Sequence, residues 1–429
     1  MNRPGLAELG VHLPPLAVTS AGALPATPTL REARRAHARA VLSDAELAEE
    51  AQRAGEYWIA VQDRLGVDVL VDGDLDARDL VCRFADGLAG FTPGGLVRIY
   101  GDRYRRKPII AGPVSWREPI SVEGWQALQS LTTRPLKARV TGPYTLARWS
   151  FDAQYSSRAA ACLAIAAALR QEVNALVAAG ARVVQIDEPA LAEPDAEWEL
   201  AAEALRLVTT GVGAYVVAHT GQHGDSTAGE LPSGRFGLPV DNLEIPGLGD
   251  PDGLPDGMHA SIDVFAPGPR ETPTSAAIDA RLQAAVGAYG SERLWISSSW
   301  RLGAVSPDRA EAHLEAVVRA AATLRGDSPA AEAAAALVEV EAAPIEVEVA
   351  PAEGEEAPAE AEVTSAEAEV TPAEAEVTPA EAEAAPAEAE ATPVEEAAAA
   401  EPVLPSGDAS SDAAASVSIP AEDDAPDKP

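Results

Sequence analysis

Apolar residues in the first 327 positions follow two alternating rhythms. Short runs such as Val183-Val184-Gln185-Ile186 are too brief for a helix and read as strands buried on both faces. Longer stretches place apolar residues at helical spacing, as at Cys162, Ile165, Leu169, Val173 and Leu176. Strands are predicted over residues 16–20, 67–71, 136–140, 182–187, 215–219, 243–245, 260–265 and 294–298. Ser43-x-x-Glu46 forms a capping box that opens a helix running to about residue 65. The helix through Cys162 should stop at Gly180, and Ser306-Pro307 should open a last helix that ends before Gly326. A basic excursion at residues 98–107, with residues 108–114, reads as a hairpin insertion outside this alternation. Eight strands alternating with helices predict an α/β fold, a (β/α)8 TIM barrel, in preference to an open doubly wound sheet. No glycine-rich phosphate loop follows the first strand.

Several of these runs end abruptly in polar residues. Asp187-Glu188-Pro189 is the clearest case, because proline has no N–H with which to continue a ladder. Both carboxylates are therefore expected where a parallel strand emerges, the rim on which barrels carry their chemistry.

Composition divides the chain into two parts. Residues 328–429 hold 27 acidic residues and one basic residue, Lys428, so residues 1–327 carry 41 acidic and 31 basic residues, near −10 of the total −36. The C-terminal part has no aromatic residue and repeats Ala-Glu-Ala-Glu-Val-Thr-Pro, the unit closing at Pro358, Ser365, Pro372, Pro379, Pro386 and Pro393. Such a composition buries too little apolar surface to offset ordering entropy, and proline in nearly every repeat forbids a continuous coiled coil. The expected organisation is a barrel domain over 1–327 and a disordered acidic tail over 328–429 with no assigned partner. No signal-peptide pattern occupies residues 1–15, and no apolar run is expected to be long enough to span a bilayer. Cys82 and Cys162 are far apart and lack metal-type spacing. A cytoplasmic, enzyme-sized protein is expected, with no nucleic-acid partner, given the acidity, and no membrane partner.

Ordered motifs then narrow the field. They are Gly66-Val67-Asp68-Val69-Leu70-Val71-Asp72-Gly73-Asp74 with Arg78-Asp79, and Thr141-Gly142-Pro143-Tyr144-Thr145 with Trp149-Ser150-Phe151. Gln185-Ile186-Asp187-Glu188-Pro189-Ala190-Leu191 and Leu294-Trp295-Ile296 complete the series. In this order they resemble the C-terminal catalytic barrel of cobalamin-independent methionine synthase, in a single-barrel form. The resemblance implies zinc-assisted methyl transfer from a methylated folate or corrinoid donor to the thiol of homocysteine. It also implies a small amino-acid or thiol ligand. A thiol of pKa about 8.5 is mostly protonated at neutral pH, and binding to a metal deprotonates it.

Carried over residue by residue, the zinc ligands would be His219 and Glu244, while the family's two cysteine positions hold Gly221 and Trp300. A family histidine associated with proton transfer is Phe265 here. The homocysteine amino group would be held by Asp74 and Asp187, the carboxylate by the backbone around Gly22 and Ala23, and a pterin ring by Trp149.

Each residue also has a plainer reading. Asp72-Gly73-Asp74 makes a good turn, Trp149 can pack on the rim, and His219 can be hydrogen-bonded in the barrel mouth. His223 lies four residues after His219 in a glycine-rich loop and could join it and Glu244 around a metal. Residues 221–239 fit a lid or an unstructured loop. Two alternatives to methyl transfer stand open: a non-catalytic binding or scaffold barrel, and a barrel enzyme with another substrate.

Overall fold

Side chains along the buried strands face two different apolar environments, and this sorting builds the barrel. The computed structural model describes residues 3–75, 79–100, 103–221, 237–245, 254–263, 275–298 and 300–327. The acidic repeat segment at 328–429 lies outside the described residues. The chain runs β1 (Val18–Ser20), α1 (Pro28–Ala38), α2 (Asp44–Leu65), α3 (Leu80–Gly87), β2 (Ala89–Thr92), β3 (Leu96–Tyr100), β4 (Arg103–Arg106) and β5 (Ile109–Ser115). It continues through α4 (Val122–Gln129), β6 (Ala138–Thr141), α5 (Pro143–Arg148), β7 (Phe151–Asp152), α6 (Arg158–Ala178), β8 (Val183–Asp187) and α7 (Trp198–Thr209). The last elements are β9 (Tyr215–His219), β10 (Asn242–Ile245), β11 (His259–Asp263), α8 (Ser275–Tyr289), β12 (Leu294–Ser298) and α9 (Pro307–Arg325).

Seven strands form one parallel sheet in the order β1-β12-β11-β10-β9-β8-β6. Its two edges, β1 and β6, are joined by residues 67–71. Asp68 and Val69 donate their N–H groups to the Val18 carbonyl at 3.0 Å, and Leu70 donates to the Pro135 carbonyl at 2.9 Å. Leu70 also pairs in parallel with Leu136. The closed curl is the predicted (β/α)8 arrangement.

Alternate residues divide between two layers. Val18, Leu70, Ala138, Val140, Val184, Ile186, Val216, Ala218, Leu243, Ala260, Ile262 and Ile296 belong to the large core shared with the helices. Ala17, Val69, Val183, Tyr215, Val217 and Trp295 form a separate cluster with Leu6, Leu9 and Leu13. That cluster fills the barrel's N-terminal end, where the segment before β1 seals it. Further along the same inward faces stand Lys137, Arg139, Gln185, Asp187, His219, Glu244 and Ser297, all but His219 nearly or fully buried. The barrel interior is apolar at one end and polar at the other.

Local chemistry explains the element ends. Ser43 and Glu46 complete both halves of the capping box on α2, and Gly66 closes it in the left-handed region. Gly326 does the same for α9, although Ser306 makes no side-chain cap bond there. The residues read as a hairpin insertion pair as β3–β4, and β5 joins β2 and β7 outside the barrel.

One expectation needs correction. At 21 residues, α6 is long and apolar enough to cross a membrane. Here it is a core helix: Cys162, Ile165, Leu169, Val173 and Leu176 are wholly buried. Its buried Glu172 accepts bonds from Trp116 Nε1, the Ile120 and Ser121 amides and the Ser121 hydroxyl at 2.7–2.9 Å.

Candidate functional site at the polar mouth of the barrel

Parallel register aligns the polar residues at the C-terminal strand ends. Asp187 on β8 lies beside His219 on β9, which lies beside Glu244 on β10. Arg139 on β6 reaches the same place. Its Nη2 donates to Asp187 Oδ2 at 2.7 Å, and its Nη1 lies 2.9 Å from Asp74 Oδ2 and 3.6 Å from Asp72 Oδ1. Gln185 Nε2 donates to the other Asp187 oxygen at 2.7 Å. Arg83 flanks the group, 3.6 Å from Asp72 and 3.8 Å from Asp74. One layer deeper, Lys137 Nζ donates to the Ser20 carbonyl and to Gln185 Oε1, both at 2.6 Å.

The sequence places the supporting turns. Gly73 and Asp74 both adopt left-handed conformations (φ 82° and 57°), and the Asp74 amide donates to Asp72 Oδ1. Gly22, at φ 143°, leaves room for the guanidinium: a Cβ there would sit 2.3 Å from Arg139 Cζ. Ala23 is half-buried beside it.

Burial and charge set the protonation states together. Burial opposes the charge on Arg139, but Asp187, Asp74 and Asp72 outweigh it and hold the guanidinium charged. Burial pushes the Asp74 carboxyl up, against the pull of Arg139, with Asp72 and Asp187 adding to the rise. Burial draws Lys137 down to about 8, with Glu244 the main opposing influence. For His219 burial again works against the cation, yet the Glu244 carboxylate prevails and raises it. Burial likewise penalises the Glu244 anion, but His219 and then Lys137 and Ser297 hold its pKa low. His219 and Glu244 thus form a charged pair, with Nδ1 and Oε2 3.5 Å apart. Ser297 donates to the other Glu244 oxygen at 2.8 Å.

Asp74, Asp187, His219 and Glu244 therefore converge as the sequence predicted, with Gly22 and Ala23 adjacent. His223 and Phe265 lie outside the described residues. Trp149 closes α5 at the rim, half-buried, its Nε1 donating to Glu193 Oε1 at 2.7 Å. Asp79 caps α3, accepting from the Val81 and Cys82 amides.

Glu188, read as functional together with Asp187, has a structural place. Consecutive residues leave a strand in opposite directions, so Glu188 points away from the mouth and caps α5. Its oxygens accept from the Tyr144 amide at 3.0 Å and the Thr145 amide at 2.7 Å. Gly142 makes way for that carboxyl, since a Cβ there would lie 2.1 Å from Glu188 Cδ. Sequence reasoning missed Lys137 and Arg139. The available signal was two basic residues at a spacing of two within an otherwise apolar strand.

The donors at the mouth do not match the zinc set that the resemblance implies. His219 Nδ1 and Glu244 Oε2 are buried 3.5 Å apart with no hydrogen bond formed, and with the imidazole neutral they would suit a cation. Sulfur is missing beside them. Cys82 and Cys162 are buried in α3 and α6, their thiols pushed up by burial, Cys82 to about 12. Gly221 has φ +72°, and a Cβ there would lie 3.0 Å from Pro189 Cα. Trp300 opens a 3-10 turn at Trp300–Ala304. Among the described residues no three His, Cys, Asp or Glu side chains form a metal-holding group.

Comparison with known proteins agrees with this architecture. The family model described as "Cobalamin-independent synthase, Catalytic domain" matches residues 16–225. A 5-methyltetrahydropteroyltriglutamate–homocysteine methyltransferase of Mycolicibacterium paratuberculosis is 34% identical over 339 residues, covering 73% of this chain and 44% of that protein. The Caulobacter vibrioides protein of the same name is 42% identical over 224 residues, covering 49% of this chain and 28% of its own. The chain thus spans less than half the length of these relatives. Among solved structures, a B12-independent methionine synthase from Shewanella sp. W3-18-1 in complex with selenomethionine superimposes with a TM-score of 0.63 at 20% identity, covering 73% of this chain and 99% of that one. A putative vitamin-B12 independent methionine synthase from Listeria monocytogenes gives 0.60 at 17% identity, with the same coverage. These two likenesses establish the shared fold. With its motifs, its barrel and its relatives in agreement, this chain belongs to the cobalamin-independent methionine synthase catalytic-domain family.

Proposed function

We propose that this barrel binds a small molecule at the mouth formed by Asp74, Arg139, Asp187, His219 and Glu244, without the thiolate-held zinc of the family reaction. The observation that carries this reading is the convergence of ionisable side chains from separate strand ends on one rim, opposite a sealed apolar end. Amino-acid and thiol compounds are the ligand class carried over from the relatives, and Trp149 is the candidate platform for a flat ring. Methyl transfer from a folate or corrinoid to homocysteine needs an activated thiol. Gly221 and Trp300 remove the sulfur ligands that would hold the activating metal. The two buried, unpaired cysteines fit a cytoplasmic setting.

A second reading, an enzyme with a different substrate, draws support from the unpartnered His219 Nδ1 and Glu244 Oε2, which a proton or a cation would satisfy. Metal analysis after zinc loading, with ligand-dependent shifts in unfolding temperature, tests the binding reading, and turnover of a compound other than homocysteine would favour the second. A protein without stoichiometric zinc, whose saturable response to an amino-acid or thiol compound is lost in Asp187→Asn, supports the binding reading. Stoichiometric zinc that disappears in His219→Ala, together with homocysteine methylation, overturns it.

A further inference from the structure

We infer that Arg139 is a resident cation that fills the carboxylate cluster of the mouth, so that the site rejects ligands bearing an ammonium group and accepts acids that lack one. This rests on the reading of the mouth as a small-molecule site.

Asp72, Asp74 and Asp187 would by themselves draw a cationic amine into the barrel. Both Asp187 oxygens are already occupied, one by Arg139 Nη2 and the other by Gln185 Nε2, each at 2.7 Å. Asp74 is taken by Arg139 Nη1 at 2.9 Å. The guanidinium is built into the wall: it hangs from β6 with a side chain 6% exposed. Gly22 provides its seat, because any Cβ there would strike Cζ, Nε and Nη1 at 2.3–2.6 Å. An incoming ammonium would meet a fixed positive charge beside Asp187, whose two oxygens each already accept a bond. Arg139 Nε, by contrast, is buried with no hydrogen-bond partner among the described residues. The guanidinium thus keeps an unpaired donor beside Asp187, which calls for a carboxylate or carbonyl oxygen, while the unpaired Glu244 Oε2 faces His219. A built-in charge that repels one ligand class is a recognised route to specificity.

The test uses the full-length chain and follows unfolding temperature at constant ionic strength. Wild type is titrated with L-methionine and with its des-amino analogue, 4-(methylthio)butanoate. A weaker response to L-methionine than to the des-amino analogue is expected, and an equal or stronger one overturns the inference. Arg139→Ala leaves three carboxylates facing a cavity. It should unfold at a lower temperature, and ethylguanidinium should restore it saturably, at concentrations at least tenfold below any that act on wild type. Sodium chloride at the same ionic strength should not. Recovery of the variant only in the presence of ethylguanidinium is the same rescue in stronger form. An unchanged unfolding temperature, or no rescue beyond sodium chloride, overturns the inference. If the variant cannot be recovered at all, the wild-type titration decides. Absence of any ligand response in wild type sinks the small-molecule reading and leaves the ethylguanidinium rescue to judge Arg139.

Discussion

Replacing Glu188 by glutamine should change how the stability of this protein depends on pH, not merely its size. The Glu188 carboxyl is wholly buried beside Gly142, where a Cβ would lie 2.1 Å from its Cδ. Burial drives its pKa from 4.5 up to about 7, against the hydrogen bonds from Thr145 and Tyr144. At about 1.4 kcal/mol per pKa unit, that shift corresponds to roughly 3 kcal/mol. The folded state holds this proton more tightly than the unfolded state does. The contribution is therefore fully present below pH 4.5 and is lost as the pH rises through about 7. Glutamine resembles the protonated acid: its carbonyl can accept from the Tyr144 or Thr145 amide, and it never ionises. Urea denaturation of wild type and E188Q at pH 5, 6, 7 and 8 reads the difference directly. Every other titrating group, including the acidic repeat segment, is common to both proteins and cancels. Relative to wild type, E188Q should gain about 2–3 kcal/mol between pH 5 and pH 8. Parallel stability curves across that window would refute the argument that burial outweighs the cap's hydrogen bonds.

Other positions give sharper single outcomes. Glu172→Ala removes one carboxylate that serves four donors, so denaturant unfolding should show a loss of about 3 kcal/mol or more; a loss below about 1 kcal/mol would mean that the donors find water. Ser43→Ala breaks the capping box on α2 and should cost about 1 kcal/mol in the same assay. Gly221→Cys returns a sulfur to the family position, but the left-handed backbone and the nearby Pro189 should cost roughly 1–2 kcal/mol. Zinc content after dialysis should stay at the wild-type level, and a stoichiometric gain would show that the loop can rebuild the site.

Much of the architecture was legible because it depends on local rules. Apolar runs of strand length, the Ser43–Glu46 box and the glycines at 66 and 326 each act over a few residues; of the strands read, 67–71 forms only a bridge at Leu70, and 264–265 lie outside the described residues. The insertion at 98–114 was legible for the same reason, since its basic composition breaks the buried rhythm. The family motifs likewise placed Asp74, Asp187, His219 and Glu244 near one another. The membrane-length helix α6 was not recognised as such, because hydropathy by itself does not say whether an apolar helix faces lipid or protein.

The chain's own order thus determined the alternation of strands and helices, their ends, and which polar residues stand at the rim. Only the closed barrel decided where those polar groups point. A strand buried on both faces gives no local sign of which parity looks inward, so Lys137 and Arg139 were invisible as interior charges. For the same reason Asp187 and Glu188 were read as one pair. Curling the sheet shut sent Asp187 into the mouth against Arg139 and Glu188 outward under α5, since neighbouring side chains on a strand must part to opposite sides.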